Sequence, residues 1–202
     1  MGSRSAAEQT ILRCLRDTAR LHELVATSQV ASIVRAAQAM SEAMRRGRKI
    51  IWFGNGGSAT QSQHMAAEFV GRFGAERRSL PSISLTENMG SVTAIANDYR
   101  YELIFARQLE GLSQRGDVAV GLSTSGSSPN VVAGLRKARE LRLTTIGLTG
   151  ASGGAMRTLC EICVTVPSTQ TPRIQEAHLT IGHILCALVE DALLTRRLST
   201  HS

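Results

Sequence analysis

KIIWFGNGGSATQSQHMAAEFVGRF, from Lys49 to Phe73, joins a predicted strand to a predicted helix through a glycine-rich turn. The apolar run Ile50–Phe53 ends at Gly54-Asn55-Gly56-Gly57, and apolar residues then recur at helical spacing. Glycines let backbone amides approach a ligand, the helix dipole favours an anion, and Ser58 is expected to cap the helix. The turn therefore predicts either an anion site or an ordinary α/β connection. It lacks the dinucleotide fingerprint and the Walker lysine, so no nucleotide is implied.

A serine-rich loop repeats this arrangement later in the chain. The run Asp117–Leu122 predicts a buried strand, and Ser123-Thr124-Ser125-Gly126-Ser127-Ser128 follows it. Pro129 suits the first turn of a helix. Hydroxyls and free amides at one helix start favour a phosphate monoester, whereas the same composition in isolation is typical of a flexible linker. The position between a strand and a proline-started helix favours the phosphate loop.

Two predicted helices carry candidate ligands or proton-transfer groups. His64 and Glu68 are four residues apart, so they project from one helical face as a candidate metal or acid/base pair. Gln175 and His183 are eight residues apart, about 12 Å of helical rise, which is long for two ligands of one ion. Their side chains must lean together, or Gln175 must lie at an irregular helix start after Pro172. Because a lone helix histidine is more often structural than a ligand, the residues alone leave the metal site open.

Five apolar runs separated by helical patterns predict a parallel, doubly wound α/β sheet. The runs are Ile50–Phe53, Ile83–Leu85, Val118–Leu122, Thr144–Leu148 and Ile162–Val166. We expect one domain over residues 1–202, with N-terminal helices in 1–46, the α/β core in 47–170 and a C-terminal helix and tail in 171–202. The terminal helical patterns, Ala6–Arg46 and Ile174–Arg197, are expected either to pack against other subunits or to wrap their own domain.

Charge and composition narrow the choice of partners. The 23 lysines and arginines and the net charge of +7 permit nucleic-acid binding. However, the arginines are scattered among acidic residues and only 3% of residues are aromatic, so we expect a solvated basic surface and no nucleic-acid partner. Strand alternation predicts Cys160 and Cys163 on opposite faces, without a shared role. We recognise no signal peptide, disulfide framework or membrane-spanning apolar run, so we expect a cytoplasmic protein without membrane contact.

Several ordered motifs resemble the bacterial phosphoheptose isomerases, also called sedoheptulose 7-phosphate isomerases, of the SIS (sugar isomerase) domain family. The motifs are GNGGSATQSQHMAAEFVGRF, TAIANDYRYELIFARQLEGL, GDVAVGLSTSGSSPNVVAGL, IGLTGASGGAM and TPRIQEAHLTIGHILCALVE. The resemblance covers nearly the whole chain to about Leu194, and motifs matching together are far more specific than any one of them. It implies a five-stranded parallel sheet flanked by helices, a flavodoxin-like sandwich with helical N-terminal and C-terminal extensions.

The resemblance also implies a site, residue by residue. Zinc ligands fall on His64, Glu68, Gln175 and His183, and Glu68 and His183 are also the implied catalytic proton-transfer groups. Substrate contacts fall on Asn55, Gly56, Gly57, Glu68, Arg72, Asn97, Asp98, Ser123, Thr124, Ser125, Ser128 and Gln175. The serine-rich loop is expected to hold the phosphate. Gln61 stands where many members carry an aspartate, and this departure can alter rate or metal affinity.

The implied reaction converts sedoheptulose 7-phosphate to D-glycero-D-manno-heptose 7-phosphate through a zinc-assisted enediol, for ADP-heptose, lipopolysaccharide or related heptose biosynthesis. The epimer formed at carbon 2 and the pathway stay open. The family usually forms homotetramers with active sites at subunit contacts, which would relieve the long spacing between Gln175 and His183. The alternative is a non-catalytic SIS regulator that binds sugar phosphates or a partner protein. Since all four implied ligands are present, the enzyme is favoured.

Overall fold

The computed structural model describes residues 5–198, so the first and last four residues of the predicted domain lie outside the described residues. Within that range the strands are β1 (Ile50–Gly54), β2 (Ser82–Ser84), β3 (Val118–Ser123), β4 (Thr144–Thr149) and β5 (Ile162–Thr165). The helices are α1 (Ala6–Ser28), α2 (Val30–Arg45), α3 (Gly57–Val70), α4 (Met89–Asp98), α5 (Ile104–Leu112), α6 (Pro129–Glu140), α7 (Met156–Leu159) and α8 (Thr171–Leu198). All strand pairs are parallel, in the order β2-β1-β3-β4-β5, which confirms the predicted five-stranded sheet flanked by helices.

The two central strands position the site. β1 and β3 are buried at every residue, because helices cover both faces of the sheet. Trp52 belongs to the core shared with α2, α3 and α8, whereas Phe53 belongs to the core shared with α5 and α6. β1 pairs with β3 up to Gly54 and Leu122, and the strand order reverses between them. The glycine-rich turn and the serine-rich loop therefore leave the sheet side by side, at the topological switch point where α/β folds bind ligands.

The long terminal helix α8 begins at Thr171, three residues before the predicted start at Ile174. Over Thr171–Thr195 it is long and apolar enough to cross a membrane by length and composition, so the expectation that no such run exists is wrong. Ile181 and Leu185 are nevertheless buried against the sheet and α2, as in the core helix of a folded domain. The predicted division into residues 1–46, 47–170 and 171–202 stays a prediction.

Cys160 and Cys163 both lie beside Gly147 of β4, which overturns their predicted placement on opposite faces. Because β5 begins at Ile162, Cys160 ends α7 and strand alternation does not apply to it. A Cβ added at Gly147 would lie 2.9 Å from Cys160 Sγ and 3.6 Å from Cys163 Sγ. Burial raises the pKa of Cys160 to about 12 and raises that of Cys163 above its ordinary value. Both thiols therefore stay protonated and are weak nucleophiles.

Candidate active site

Two imidazoles and a carboxylate meet where α3 faces α8. His64 Nε2 lies 2.9 Å from His183 Nε2 and 3.4 Å from Glu68 Oε1. One ligand atom from each of the three residues lies within 4.8 Å of the others. The four-residue spacing on α3 explains why His64 and Glu68 share a face, and the packing of α8 on α3 supplies His183. The fold thus brings His64 and His183 together although they are 119 positions apart in the chain.

The chemistry of this cluster fits a metal ion. Two ring nitrogens 2.9 Å apart cannot both present lone pairs unless a proton or a cation lies between them. Imidazole nitrogen and carboxylate oxygen are ligands that zinc prefers, and a catalytic zinc keeps an open position for substrate. The side chains of His64 and Glu68 are 47% and 24% exposed, so a small substrate can reach them. The three residues therefore form a candidate metal centre that is open on one side.

Gln175 lies inside α8, two turns before His183, and not at an irregular helix start. A Cβ added at Gly57 would lie 2.6 Å from Gln175 Nε2, so the amide packs on the first turn of α3. Gln61 Nε2 donates a hydrogen bond of 2.6 Å to the carbonyl oxygen of Gln175. An ionised aspartate at position 61 could not donate this bond. Gln61 thus makes a contact between α3 and α8 that an acid could not make.

The glycine-rich turn is held by neighbouring side chains. Asn55 and Asn130 exchange two amide hydrogen bonds of 2.8 Å, and the Tyr101 hydroxyl donates to Asn55 Oδ1 at 3.1 Å. Gly56 has a φ of 54°, which glycine adopts at little cost, and it is the N-cap of α3. Ser58 lies one position inside the helix, so its predicted capping role is wrong. Because the Asn55 amide is engaged, an anion at this turn must rely mainly on backbone N–H groups.

The serine-rich loop gathers three hydroxyls at the start of α6. Ser123 Oγ lies 3.3 Å from Ser125 Oγ and 2.9 Å from Ser128 Oγ. Ser128 is the N-cap of α6, yet its side chain makes no capping hydrogen bond. The carbonyl of Thr124 accepts the N–H of Gly150 at 3.1 Å, which ties the loop to the end of β4. Hydroxyl groups at the positive end of a helix favour an anion such as phosphate.

The other predicted contact residues, Asn97, Asp98 and Arg72, are exposed and bond to near neighbours in the chain. Asn97 and Asp98 are exposed at the end of α4, where the Asn97 amide donates to the Asp98 carboxylate at 2.9 Å. Arg72 follows α3, is 62% exposed, and lies 3.9 Å from Glu76. None of these three makes a hydrogen bond to the histidine cluster or the serine-rich loop among the side chains described. All three are exposed to solvent.

Three residues near the site lie within the quoted motifs but were not singled out by the sequence analysis. Asn130, only 2% exposed, and Tyr101 fix Asn55, and Phe73 places its ring 5.5 Å from the ring of His183. A cavity of about 370 Å³ lies between the glycine-rich turn and α4, with Asn55 and Tyr101 in its lining. Its size suits a small organic ligand. These contacts join segments far apart in the chain, which no spacing rule detects.

Comparisons with known proteins identify the family and agree with the fold. The sequence profile of the SIS domain family matches residues 15–150. The chain is 54% identical over 151 residues to a phosphoheptose isomerase from a Nitratiruptor species, covering 75% of this chain and 81% of that protein. It is 50% identical over 179 residues to one from Pelobacter propionicus, covering 89% and 95%. The solved phosphoheptose isomerase from Neisseria gonorrhoeae has a TM-score of 0.87 at 33% identity, covering 92% of this chain and 100% of that one.

Proposed function

This chain belongs to the phosphoheptose isomerases of the SIS domain family, and from that membership we propose that it converts sedoheptulose 7-phosphate to D-glycero-D-manno-heptose 7-phosphate. The product would enter ADP-heptose or related heptose biosynthesis. The observation that carries the proposal is the cluster of His64, Glu68 and His183 between α3 and α8, in a fold that also places a serine-rich loop at the switch point of the sheet. The cluster suits proton transfer, and the serine-rich loop suits phosphate binding.

The reaction moves a proton between carbons 1 and 2 of an open-chain sugar and needs stabilisation of the enediolate oxygens. Glu68 is the proposed base. Its Oε1 faces His64 at 3.4 Å, which leaves the second carboxylate oxygen to take the proton from carbon. His183, on the opposite helix, is the proposed group that moves protons at the sugar oxygens. Glu68 and His183 thus reach one site from two different helices.

His64, Glu68, Gln175 and His183 would hold a zinc ion, which when bound would polarise the substrate carbonyl. The facing ring nitrogens of His64 and His183 support this assignment, because they require a cation or a proton between them.

Phosphate binding is assigned to Ser123, Thr124, Ser125 and Ser128. The turn amides at Asn55, Gly56 and Gly57, with Asn97, Asp98 and Arg72, complete the proposed substrate contacts. Binding energy from the phosphate, remote from carbons 1 and 2, would hold the sugar in position over Glu68. The mutual hydrogen bonds of Ser123, Ser125 and Ser128 support this role, because a phosphate could replace each of them.

A homotetramer with active sites at subunit contacts, in the cytoplasm, completes the proposal. An apolar cavity of about 350 Å³ runs between α1, α2 and α8. In its lining Val30, Val34, Ile184 and Leu188 are 55%, 41%, 40% and 38% exposed, which is unusual for large apolar side chains clustered together. A second copy of the chain is the proposed cover, and a molar mass of one chain in solution would count against it.

The decisive experiment follows turnover of sedoheptulose 7-phosphate and identifies the aldose by NMR. Native protein loaded with Zn²⁺ is compared with chelator-treated protein and with the Glu68→Gln variant. We expect loss of activity of about 10³-fold or more in the variant, since an amide cannot take the proton. Activity that survives in Glu68→Gln would remove this residue as the base. Folded native protein that binds the sugar phosphate without turnover would favour the non-catalytic regulator.

A further inference from the structure

Arg77 and Glu190 form a buried ion pair between the segment after α3 and helix α8. Their side chains are only 3% and 5% exposed, and Arg77 Nε lies 2.5 Å from Glu190 Oε2. Burying two opposite charges is unfavourable unless both are paired and fully hydrogen-bonded. The sequence pattern did not single out either residue, and neither takes part in the proposed proton transfers.

Arg77 binds the backbone at the end of α3. Its Nη2 donates to the carbonyl of Glu68 at 2.9 Å, and its Nη1 donates to the carbonyls of Phe69 and Gly71 at 3.0 and 3.2 Å. Carbonyls in the last turn of a helix lack helical partners and carry the negative end of the dipole. The guanidinium therefore satisfies the helix end and holds the backbone of Glu68 itself.

Glu190 binds the segment that follows α3. Its carboxylate accepts the backbone N–H groups of Phe73, Gly74 and Ala75 at 3.3, 2.9 and 2.7 Å. Burial alone raises the pKa of Glu190, but these N–H groups and Arg77 outweigh it and lower the pKa, so the carboxylate stays ionised. The anchored Phe73 places its ring 5.5 Å from that of His183. Glu190 thus supports the segment that packs on His183.

The pair also links the two helices of the cluster. Glu190 follows His183 by seven residues, about two helical turns, so both lie on the same face of α8. On the other helix, Arg77 holds Glu68, which is one turn after His64. We propose that Arg77 and Glu190 are positioning residues that set α3 against α8 so that Glu68 and His64 meet His183. The inference depends on the proposed function only for the measurement of Zn²⁺ affinity.

The test compares Arg77→Lys and Glu190→Gln with a matched control. Lysine keeps the charge but lacks the guanidinium fork that reaches several carbonyls, and glutamine keeps the shape without the charge. The control is Asp117→Asn, just before β3, at the end of the strands opposite to the site. Asp117 is also buried, pairs with Lys49 at 2.7 Å, and accepts the backbone N–H groups of Lys49 and Gln114.

Two quantities are measured in each folded variant: Zn²⁺ affinity by competition with a chelator, and histidine ring ¹⁵N NMR of the metal-free protein. Since partners that orient metal ligands typically change affinity 10- to 100-fold, we expect Arg77→Lys and Glu190→Gln to bind Zn²⁺ about 10- to 100-fold more weakly. Both should also lose the contact between the His64 and His183 rings. Asp117→Asn should lower the melting temperature while leaving both readouts unchanged.

Native Zn²⁺ affinity together with an intact ring contact in Arg77→Lys would overturn the inference. If Arg77→Lys does not fold, native Zn²⁺ affinity together with an intact ring contact in Glu190→Gln would overturn the inference. If the native protein binds no Zn²⁺, the metal part of the proposed function fails. The ring contact in the metal-free protein then decides the positioning role by itself.

Discussion

The glycine-rich turn at residues 54–58 and the serine-rich loop at 123–128 leave neighbouring strands, yet the fold uses them differently. In the turn, Asn55 is bonded to Asn130 and Tyr101, and Gly57 is covered by Gln175. In the loop, the hydroxyls of Ser123, Ser125 and Ser128 bond to one another, and Ser128 at the N-cap of α6 makes no capping hydrogen bond. The turn is therefore a rigid base for the helix that carries His64 and Glu68, whereas the loop keeps groups that a phosphate can recruit. Similar composition does not give a similar role, because neighbouring residues decide which groups remain for a ligand.

The largest expected effect concerns the support beneath the loop. His178 is 1% exposed on α8, and its Nε2 lies 3.2 Å from the carbonyl of Thr149, next to the Gly150 that bonds Thr124. Burial lowers the pKa of His178 to about 4, against a hydrogen bond to Thr149 that raises it. Between pH 6.5 and 4 the unfolded chain takes up a proton that the folded chain does not. The contribution of His178 to the free energy of unfolding is therefore fully present above about pH 6.5. It falls by about 3 kcal/mol as the pH drops to about 4.

Urea unfolding between about pH 7.5 and 4 measures this loss in the native protein and in His178→Gln. Glutamine can still reach the Thr149 carbonyl but does not titrate. The variant should therefore lose about 3 kcal/mol less unfolding free energy than the native protein between these pH values. Parallel pH profiles for the two proteins would remove His178 as the cause.

A smaller effect tests the unequal roles of the two segments directly. Ser128→Ala removes a hydroxyl from the loop and should weaken inorganic phosphate binding by about 10- to 100-fold, because hydrogen bonds to a charged group contribute about 1.5–3 kcal/mol. Ser58→Ala is the matched change in the turn, where the side chain is 3% exposed inside α3. Its phosphate affinity should stay near the native value. Equal losses in the two variants would break the contrast between loop and turn, and calorimetric titration with phosphate measures both.

The smallest effect tests whether the turn serves the metal site. Gly57→Ala would bring a Cβ within 2.6 Å of Gln175 Nε2, the flexible end of a side chain, so the fold should survive while Gln175 is displaced. We expect about tenfold weaker Zn²⁺ binding, measured by chelator competition, with nearly native affinity for inorganic phosphate. Gly111→Ala in α5 is the control, because nothing lies within 4 Å of the added Cβ. Unchanged Zn²⁺ affinity in Gly57→Ala would argue against Gln175 as a ligand.

Much of the fold could be predicted from local patterns. The five apolar runs correspond to the five strands, because a buried parallel strand needs a continuous apolar segment. The observed ends of helices and strands differ from the predicted ends by one to three residues, as at Thr171, because helix ends depend on capping and packing. The placement of Cys160 was wrong for the same reason: α7 ends there before β5 starts.

The sequence by itself determined the parallel α/β fold, the serine-rich loop at a helix start, and the pairing of His64 with Glu68. Each of these depends on residues close together in the chain, whose spacing fixes their relative direction. Only the tertiary structure decided that His183 meets His64, that Asn130 holds Asn55, and that Arg77 pairs with Glu190. Those contacts join distant segments, and they form because burial of apolar faces packs α3 and α8 together on the sheet.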